Sequence, residues 1–496
     1  MTTTTHQHPL DVSLPYDIAP RADAAAGDIK LRTFVGSATQ SKDDGRKNAC
    51  REAFGENYDA VRKHAGAIKQ HTLDRLDYYL EQFVDRAHAN GTKVHFAATG
   101  AEANDLILKI ARERHCKLCV KSKSMVTEET HLLPALEAAG VETVETDLGE
   151  FIIQLDGDAP SHIVTPMIHK DRAAVGRAFQ RELNAPYSED PQTLTMIARA
   201  HLREKYRHAD LGISGGNFLV AESGTLVLCT NEGNGRFCTG APRTHIAVVG
   251  IEKLVPRLSD LSILLKLLAR SGTSQPLTVY TSFITGPRRP HEPDGPEEVH
   301  VILVDNGRTE ILRAETRELL RCIRCGACLN ACPVYRSIGG HAYGAVYSGP
   351  IGATITPLLK GLHNYPDLPQ ASSLCGACFE ACPVHIDIPS QLVNLRRELN
   401  RTHANSIAER LAYRAWAFAI LHPRVFGFAA RVQRWVLSSL ADTRAADSLT
   451  PSGWLSGSPL PLGGPLCAWT QSRDFPAPAR TSYREWWDST LPSTAR

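Results

Sequence analysis

The sequence predicts an α/β domain with a parallel sheet, then a helical module built around cysteine loops, then a helical C-terminal region. Two observations carry this prediction. From about residue 70, amphipathic stretches alternate with short β-rich runs every ~25 residues, the pattern of βαβ units. Further on, seven of the thirteen cysteines fall in two bursts that end alike. These are Cys322-Ile-Arg-Cys325-Gly-Ala-Cys328-Leu-Asn-Ala-Cys332-Pro333 and Leu374-Cys375-Gly-Ala-Cys378-Phe-Glu-Ala-Cys382-Pro383.

Residues 1–70 are polar and mixed, with a helix expected from about Asp43 to Lys69, and read as an N-terminal extension. The α/β domain is assigned to 71–308. There the amphipathic stretch Leu73–Ala89 leads through Asn90-Gly91 to the β-rich run Val94–Thr99. A helix over Ala101–Arg114 precedes a strand at Cys119–Ser122, and a third helix over Thr127–Ala139 precedes Val141–Thr146. Gly91 and Gly140 stand just past helices, where a left-handed cap is needed. Phe218–Glu222 and Thr225–Cys229 flank Ser223-Gly224, a two-residue hairpin signal. Ile246–Ile251 and Val299–Val304 are apolar runs typical of buried strands, and Gly286–Pro296 is an irregular loop.

The cysteine module is assigned to 309–402, with a helical lead-in at Glu310–Arg321 and a closing helix at Gln391–Arg401. Cysteine loops framed by helices point to an α-helical ferredoxin domain. The segment 403–496 is a C-terminal helical region and tail, helical from Ser406 to Leu440 and broken at His422-Pro423.

Composition is that of a soluble globular protein, with 43% hydrophobic and 22% charged residues, and length allows two to four domains. A net charge of +2 gives no basic footprint for nucleic acid. The N-terminal residues lack a basic start and apolar core, and no run of about 18 apolar residues suggests a transmembrane segment. Cysteines in metal spacing, without a secretory signal, suit a reducing compartment, so the expected location is cytoplasmic.

The first burst is C-x2-C-x2-C-x3-C-P, in which three cysteines wrap one cubane and the fourth ligates the neighbouring cluster. By that rule Cys322, Cys325, Cys328 and Cys382 hold one [4Fe–4S] cluster, and Cys332, Cys375 and Cys378 hold three irons of a second. The competing reading, structural zinc, takes four ligands as two C-x2-C pairs, and seven cysteines fit it poorly. Ser372 stands where the second burst should have its first cysteine. Its oxygen could ligate iron, the corner could be open or take an external ligand, or the second cluster could be [3Fe–4S] instead of [4Fe–4S].

The remaining cysteines are read as packing groups: the pair Cys116 and Cys119, and the isolated Cys50, Cys229, Cys238 and Cys467. Lys121 and Lys123 follow a strand and precede a helix, where an open α/β sheet binds ligands, so an anion site is weighed against a solvated basic loop. Gly215-Gly216-Asn217 and Gly233-Asn-Gly235 bracket the hairpin, either for close ligand approach or for turn geometry. His162, His169 and Asp147 near strand ends are candidate proton carriers. Basic and aromatic residues interleave over Ile407–Leu440 (Arg410, Arg414, Arg424, Arg431 and Arg434 with Trp416, Phe418, Phe426, Phe428 and Trp435), and a protein contact is favoured over a membrane surface.

Several ordered segments resemble a known family. They are Val120–Glu129, Glu145–Glu150, Pro160–Ile163, Ser214–Asn217, Thr230–Asn234, Gly250–Lys253, Val304–Arg308, both cysteine bursts, Trp469–Pro476 and Tyr483–Trp487. Together they resemble the lactate utilization protein B family over roughly residues 70–490. The resemblance implies an α/β domain similar to the ribose-phosphate isomerase and coenzyme A transferase group. It also implies an iron–sulfur electron-transfer subunit in a three-component cytoplasmic complex oxidising L-lactate to pyruvate for growth on lactate. The partners would be the other subunits and an electron acceptor. Glu222 sits where similar transferase folds carry an active carboxylate, although the full transferase motif is missing. The alternative is a stand-alone oxidoreductase that binds substrate or a flavin in the α/β domain.

Overall fold

The computed structural model describes residues 10, 12–402, 407–440, 454–455, 475–479 and 481–490. It divides into two compact units, residues 1–404 and 405–496.

The first unit is organised by a six-stranded sheet. Its strands are β1 (Lys93–Ala97), β2 (Leu118–Lys121), β3 (Glu142–Glu145), β4 (Leu211–Ser214), β7 (Thr244–Gly250) and β10 (Glu298–Val304), in the order β1-β10-β7-β4-β2-β3. Every pairing is parallel. β7 and β4 are buried throughout and β10 almost so, which is why they read as unbroken apolar runs: a parallel sheet is covered on both faces. The crossover helix Gly100–Glu113 starts at Thr99, whose hydroxyl accepts from Glu102 N at 3.2 Å, while the Glu102 carboxylate accepts from Ala98 N at 2.8 Å. This reciprocal cap satisfies donors that the first turn leaves unpaired.

A smaller mixed sheet has the order β8-β5-β6-β9, with β5 Phe218–Val220, β6 Thr225–Thr230, β8 Leu254–Val255 and β9 Tyr280–Ile284. β5 and β6 form the expected antiparallel hairpin, but Val220 pairs with Thr225, so the turn holds four residues. The reason is competition from β8: Ala221 N and Glu222 N donate to Val255 O and Pro256 O, which ends the hairpin early. Gly224 has φ +67°, and a Cβ there would lie 2.4 Å from Ala87 N on the helix Leu76–Ala89.

Other boundaries also move. The N-terminal helix runs over Ile29–Phe54, capped by Asp28, and breaks at Gly55 before a second helix at Tyr58–Asp74. The expected helix Thr127–Ala139 is two pieces, Met125–Glu129 and Leu132–Ala138, because His131 between them is left-handed. The lead-in to the first burst is a short helix, Arg308–Arg313, followed by a 3-10 turn, Arg317–Arg321.

Among the described residues the cysteine module contains helices and no strands. It is not a separate globule. One apolar core combines Val35, Ala65 and Ile68 of the N-terminal helices, Phe218 and Val227 of the small sheet, Leu261–Leu268 of the helix Leu258–Thr273, and the cysteine loops. The second unit contains the helices Ile407–Leu421, Pro423–Ser439 and Tyr483–Thr490, and Arg434 pairs with Glu485 at 2.7 Å. Among the described residues no helix is long and apolar enough to cross a membrane.

At the C-terminal edge of the large sheet Arg308, 1% exposed, donates to both Glu129 oxygens at 2.9 Å and to Glu252 Oε2 at 2.7 Å. Tyr347 of the cysteine module donates to the same Glu129 at 2.7 Å. Removing one member of a buried ion network leaves a charge uncompensated. Arg308→Met is therefore expected to destabilise the first unit by about 3–5 kcal/mol. The readout is the chemical-denaturation midpoint under anaerobic conditions.

Candidate metal centres and an adjoining cavity

The two bursts follow the same backbone path. Arg324 and Leu374 are left-handed (φ +61° and +53°), as are Gly326 and Gly376 (φ +77° and +84°). A short helix follows in each, Ala327–Ala331 and Ala377–Ala381, ended by the cysteine before proline. Each loop thus curls its cysteine pair inward and aims amides at sulfur. The N–H of Ala327 reaches Cys325 and that of Ala377 reaches Cys375, and the N–H of Val384 reaches Cys382 as that of Val334 reaches Cys332. Arg324 N donates to Cys322 Sγ at 3.4 Å and Ile386 N to Cys382 Sγ at 3.3 Å. Such bonds stabilise negative charge on sulfur.

Cys322, Cys325, Cys328 and Cys382 line one small, nearly all-apolar cavity with Ile163, Ile323, Ile351 and Ile386 as walls. Their thiols feel one another's charge, and burial pushes Cys325 and Cys328 well up and Cys382 up to about 11. Cys332, Cys375 and Cys378 form a second interacting set. Here Cys375 is exposed and its thiol is held below the ordinary range by the Ala377 amide. The hydroxyl of Ser372, at the position equivalent to Cys322, accepts from Leu374 N at 3.1 Å.

No three cysteine sulfurs among the described residues lie within 4.8 Å of one another. Tetrahedral zinc with Zn–S bonds of ~2.3 Å would bring its sulfurs to about 3.8 Å. The N–H···S bonds and the apolar surroundings suit thiolates that carry a cluster. Thiolate ligands in an apolar shell are the donor chemistry of such a cluster, and the residues present fit it. The described group that does gather is Asp158, His169 and His341, but Lys170 Nζ already occupies Asp158 at 2.7 Å.

A second, larger cavity of about 500 Å³ opens across the C-terminal ends of β3, β2, β4 and β7. Asp147 follows β3, Lys123 follows β2, Gly215-Gly216-Asn217 follow β4, and Glu252-Lys253 follow β7. Chain connections leave β2 and β4 in opposite directions, the topological position where open α/β sheets bind ligands. The cavity reaches Arg324, Cys325 and Tyr347, so Arg324 and Cys325 line both cavities.

Of the other sequence candidates, Lys123 borders the cavity but is paired with Glu150. Lys121 does not serve as a ligand group: it is fully buried, 2.5 Å from Glu145 and 3.0 Å from Glu128, which hold it charged. Asp147 caps the helix Leu148–Asp156 and borders the cavity. Glu232, not singled out from sequence, lies beside Asp147, and burial with that negative neighbour raises its carboxyl to about 7. Glu222 lies outside the cavity lining and accepts from Leu258 N at 2.8 Å at a helix start. His162 is sealed behind the first burst against Asn330 Oδ1 at 3.1 Å, and burial holds it neutral, down to about 3. His169 is bound to Asp158 at 2.9 Å.

Cys119 and Cys238 are packed beside each other, Cys116 and Cys50 are buried, and Cys229 borders the cavity. Burial raises all five thiols, so they are poor nucleophiles. Cys467 lies outside the described residues. The cationic neighbours of the first cysteine set, Lys253 and Arg324, were also missed as site residues. Arg324 sits inside the burst itself, but nothing in the spacing shows that it faces a cavity.

Ser214 Oγ lies 2.8 Å from His245 Nε2, a spacing seen in nucleophile–base pairs, but both are buried within the sheet. Burial lowers His245 to about 3. An unfolded histidine titrates near 6.5, so the unfolded chain binds the extra proton between these values. Stability should therefore fall as pH drops through that window. NMR of the His245 ring should show no protonation above about pH 4.

Family models match three successive stretches: a LUD domain over residues 80–304, a 4Fe-4S dicluster domain over 318–386, and the C-terminal model of lactate utilisation protein B over 396–491. A protein of Geobacillus kaustophilus named Lactate utilization protein B is 45% identical over 435 residues, 87% of this chain and 89% of its own. One of the same name from Anoxybacillus flavithermus is 45% identical over 92% of this chain and 94% of its own. An Escherichia coli protein named Uncharacterized electron transport protein YkgF is 41% identical, covering 95% of this chain and 96% of its own. A solved DUF162 family structure from Deinococcus radiodurans aligns with 46% of this chain and 98% of its own length at 16% identity, with a TM-score of 0.27.

Proposed function

The chain belongs to the lactate utilization protein B family, and on that premise we propose that it is the iron–sulfur electron-transfer subunit of a cytoplasmic complex oxidising L-lactate to pyruvate. The observation that carries this reading is the pairing of a buried cysteine set with one that reaches the surface at Cys375. When bound, iron–sulfur clusters accept and release single electrons. Cys322, Cys325, Cys328 and Cys382 would hold a [4Fe–4S] cluster, and Cys332, Cys375 and Cys378 three corners of a second, [4Fe–4S] or [3Fe–4S], with Ser372 beside the fourth.

This chain's residues insulate, charge-balance and expose those groups. Isoleucines exclude water from the first set. Arg324 puts positive charge beside Cys322 and opposes the charge that thiolates bring, and Lys69 and Lys253, which burial pushes down to about 7 and about 8, would be held protonated by the same thiolates. Exposure of Cys375 gives the second set a route to a partner surface. The helices Ile407–Leu421 and Pro423–Ser439 expose Trp416, Phe418, Phe428 and Trp435, which supports a protein partner for the second unit. A six-stranded parallel sheet beside a smaller mixed one is compatible with the ribose-phosphate isomerase and coenzyme A transferase likeness.

The cavity across the sheet supports the second reading, a stand-alone oxidoreductase binding substrate or flavin in the α/β domain. Robust lactate oxidation by the isolated chain with an artificial acceptor would favour it. For the first reading, a potentiometric titration followed by electron paramagnetic resonance should show two centres of different potential, because their solvent exposure differs. Ser372→Cys should change the signal of the more exposed centre and leave the other unchanged. A zinc-loaded protein that cannot be reconstituted with iron and sulfide would end the proposal.

A further inference from the structure

Around the junction of the two cavities, basic side chains outnumber carboxylates, four to two. Lys69, Lys253, Arg308 and Arg324 are buried together with the carboxylates of Glu129 and Glu252. Arg308 is consumed by both carboxylates, and Lys69 donates to Glu252 O at 2.5 Å and Leu254 O at 3.0 Å. Lys253, 7% exposed, makes no hydrogen bond or ion pair with any described residue, yet it borders the 500 Å³ cavity. Arg324 stacks on Tyr347, its ion pair to Glu252 is long at 3.8 Å, and its buried NH1 has no hydrogen-bond partner. Buried donors of this kind are costly unless something satisfies them.

We infer that the cavity across β3, β2, β4 and β7 binds an organic carboxylate or phosphate whose oxyanion is clamped by Lys253 and Arg324. The site goes beyond electron relay, and only its adjacency to a cluster rests on the cluster reading. Its volume falls in the range of small-molecule and cofactor sites, and a three-carbon acid alone would leave most of it to water. Ile163, Val164, Met167, Leu228 and Leu268 supply an apolar wall for the ligand's body. Gly216 borders the cavity while its other side packs on the core, where a Cβ would meet Leu226 Cδ1 at 2.7 Å and Val249 Cγ2 at 2.9 Å. The far end is acidic. Asp147 and Glu232 lie at the β3 end, three strand spacings or ~14 Å from Lys253 across the sheet. A bound anion therefore has one favoured orientation, with its charged group beside Arg324 and hence beside the first cysteine set.

The test titrates the anaerobic full-length protein with flavin mononucleotide in one arm and sodium L-lactate in the other, by calorimetry. One of the two should bind, which identifies the source of the oxyanion. Lys253→Met should weaken that binding roughly ten- to hundredfold, the worth of a lost charged hydrogen bond, and Lys253→Arg should restore most of it. The bound probe should also alter the paramagnetic resonance of the buried centre more than that of the exposed one. Absence of binding in both arms, or binding that Lys253→Met leaves unchanged, overturns the inference. Iron and sulfide content measured on the same samples judges the cluster reading separately, because calorimetric binding does not depend on it.

Discussion

The buried guanidinium of Arg308 is the contact on which the rest of the first unit depends. It arrives from the end of β10, grips Glu129 after β2 and Glu252 after β7, and through Glu129 reaches Tyr347 of the cysteine module. Three strand ends of the sheet and the cysteine module are thereby joined around one charge. Asn306 adds a donor to Glu129 at 2.7 Å, and the Arg308 contacts hold that carboxyl below its usual range. Removing one member of such a buried network leaves a charge uncompensated, so its members hold their positions together, although Glu252 Oε1 has no hydrogen-bond partner among the described residues.

That fixed geometry matters because Glu252 is followed by Lys253 and faces Arg324, the residue between the first two cysteines. The ligand-sized cavity and the buried cysteine set are consequently neighbours separated by Arg324 and Cys325. The helix Leu258–Thr273 reinforces the junction: Gly272 packs so tightly on the Cys325 carbonyl that a Cβ would sit 3.0 Å from it. The α/β domain and the cysteine loops share one apolar core, with both cavities at their seam.

Much of this was legible in the sequence, where the signal was local. Continuous apolar runs marked β7 and β10, and cysteine spacing pointed to both loops, whose matched left-handed positions explain why glycine recurs as Cys-Gly-Ala-Cys. Local signals failed where a distant segment competed. β8 shortened the Ser223-Gly224 hairpin, and His131 broke a helix that periodicity would have continued. Lys121 and Lys123 read as either an anion site or a solvated basic loop, yet Lys121 is spent on Glu145 and Glu128 and Lys123 on Glu150, and the cavity-lining lysine without a hydrogen-bond or ion-pair partner among the described residues is Lys253, after β7, two strands from β2 across the sheet. Convergence of that kind is decided by tertiary packing, and no spacing in the chain announces it.

In the proposed arrangement the two bursts exchange ligands, so that Cys382 of the second completes the site begun by Cys322, Cys325 and Cys328. The most direct measurement is Mössbauer spectroscopy of iron-57-enriched, anaerobically purified protein and of Cys382→Ser. Cys382→Ser should perturb or lose the buried four-cysteine cluster while the surface-reaching cluster keeps its spectrum. Loss of the surface-reaching cluster with the buried one intact would contradict it.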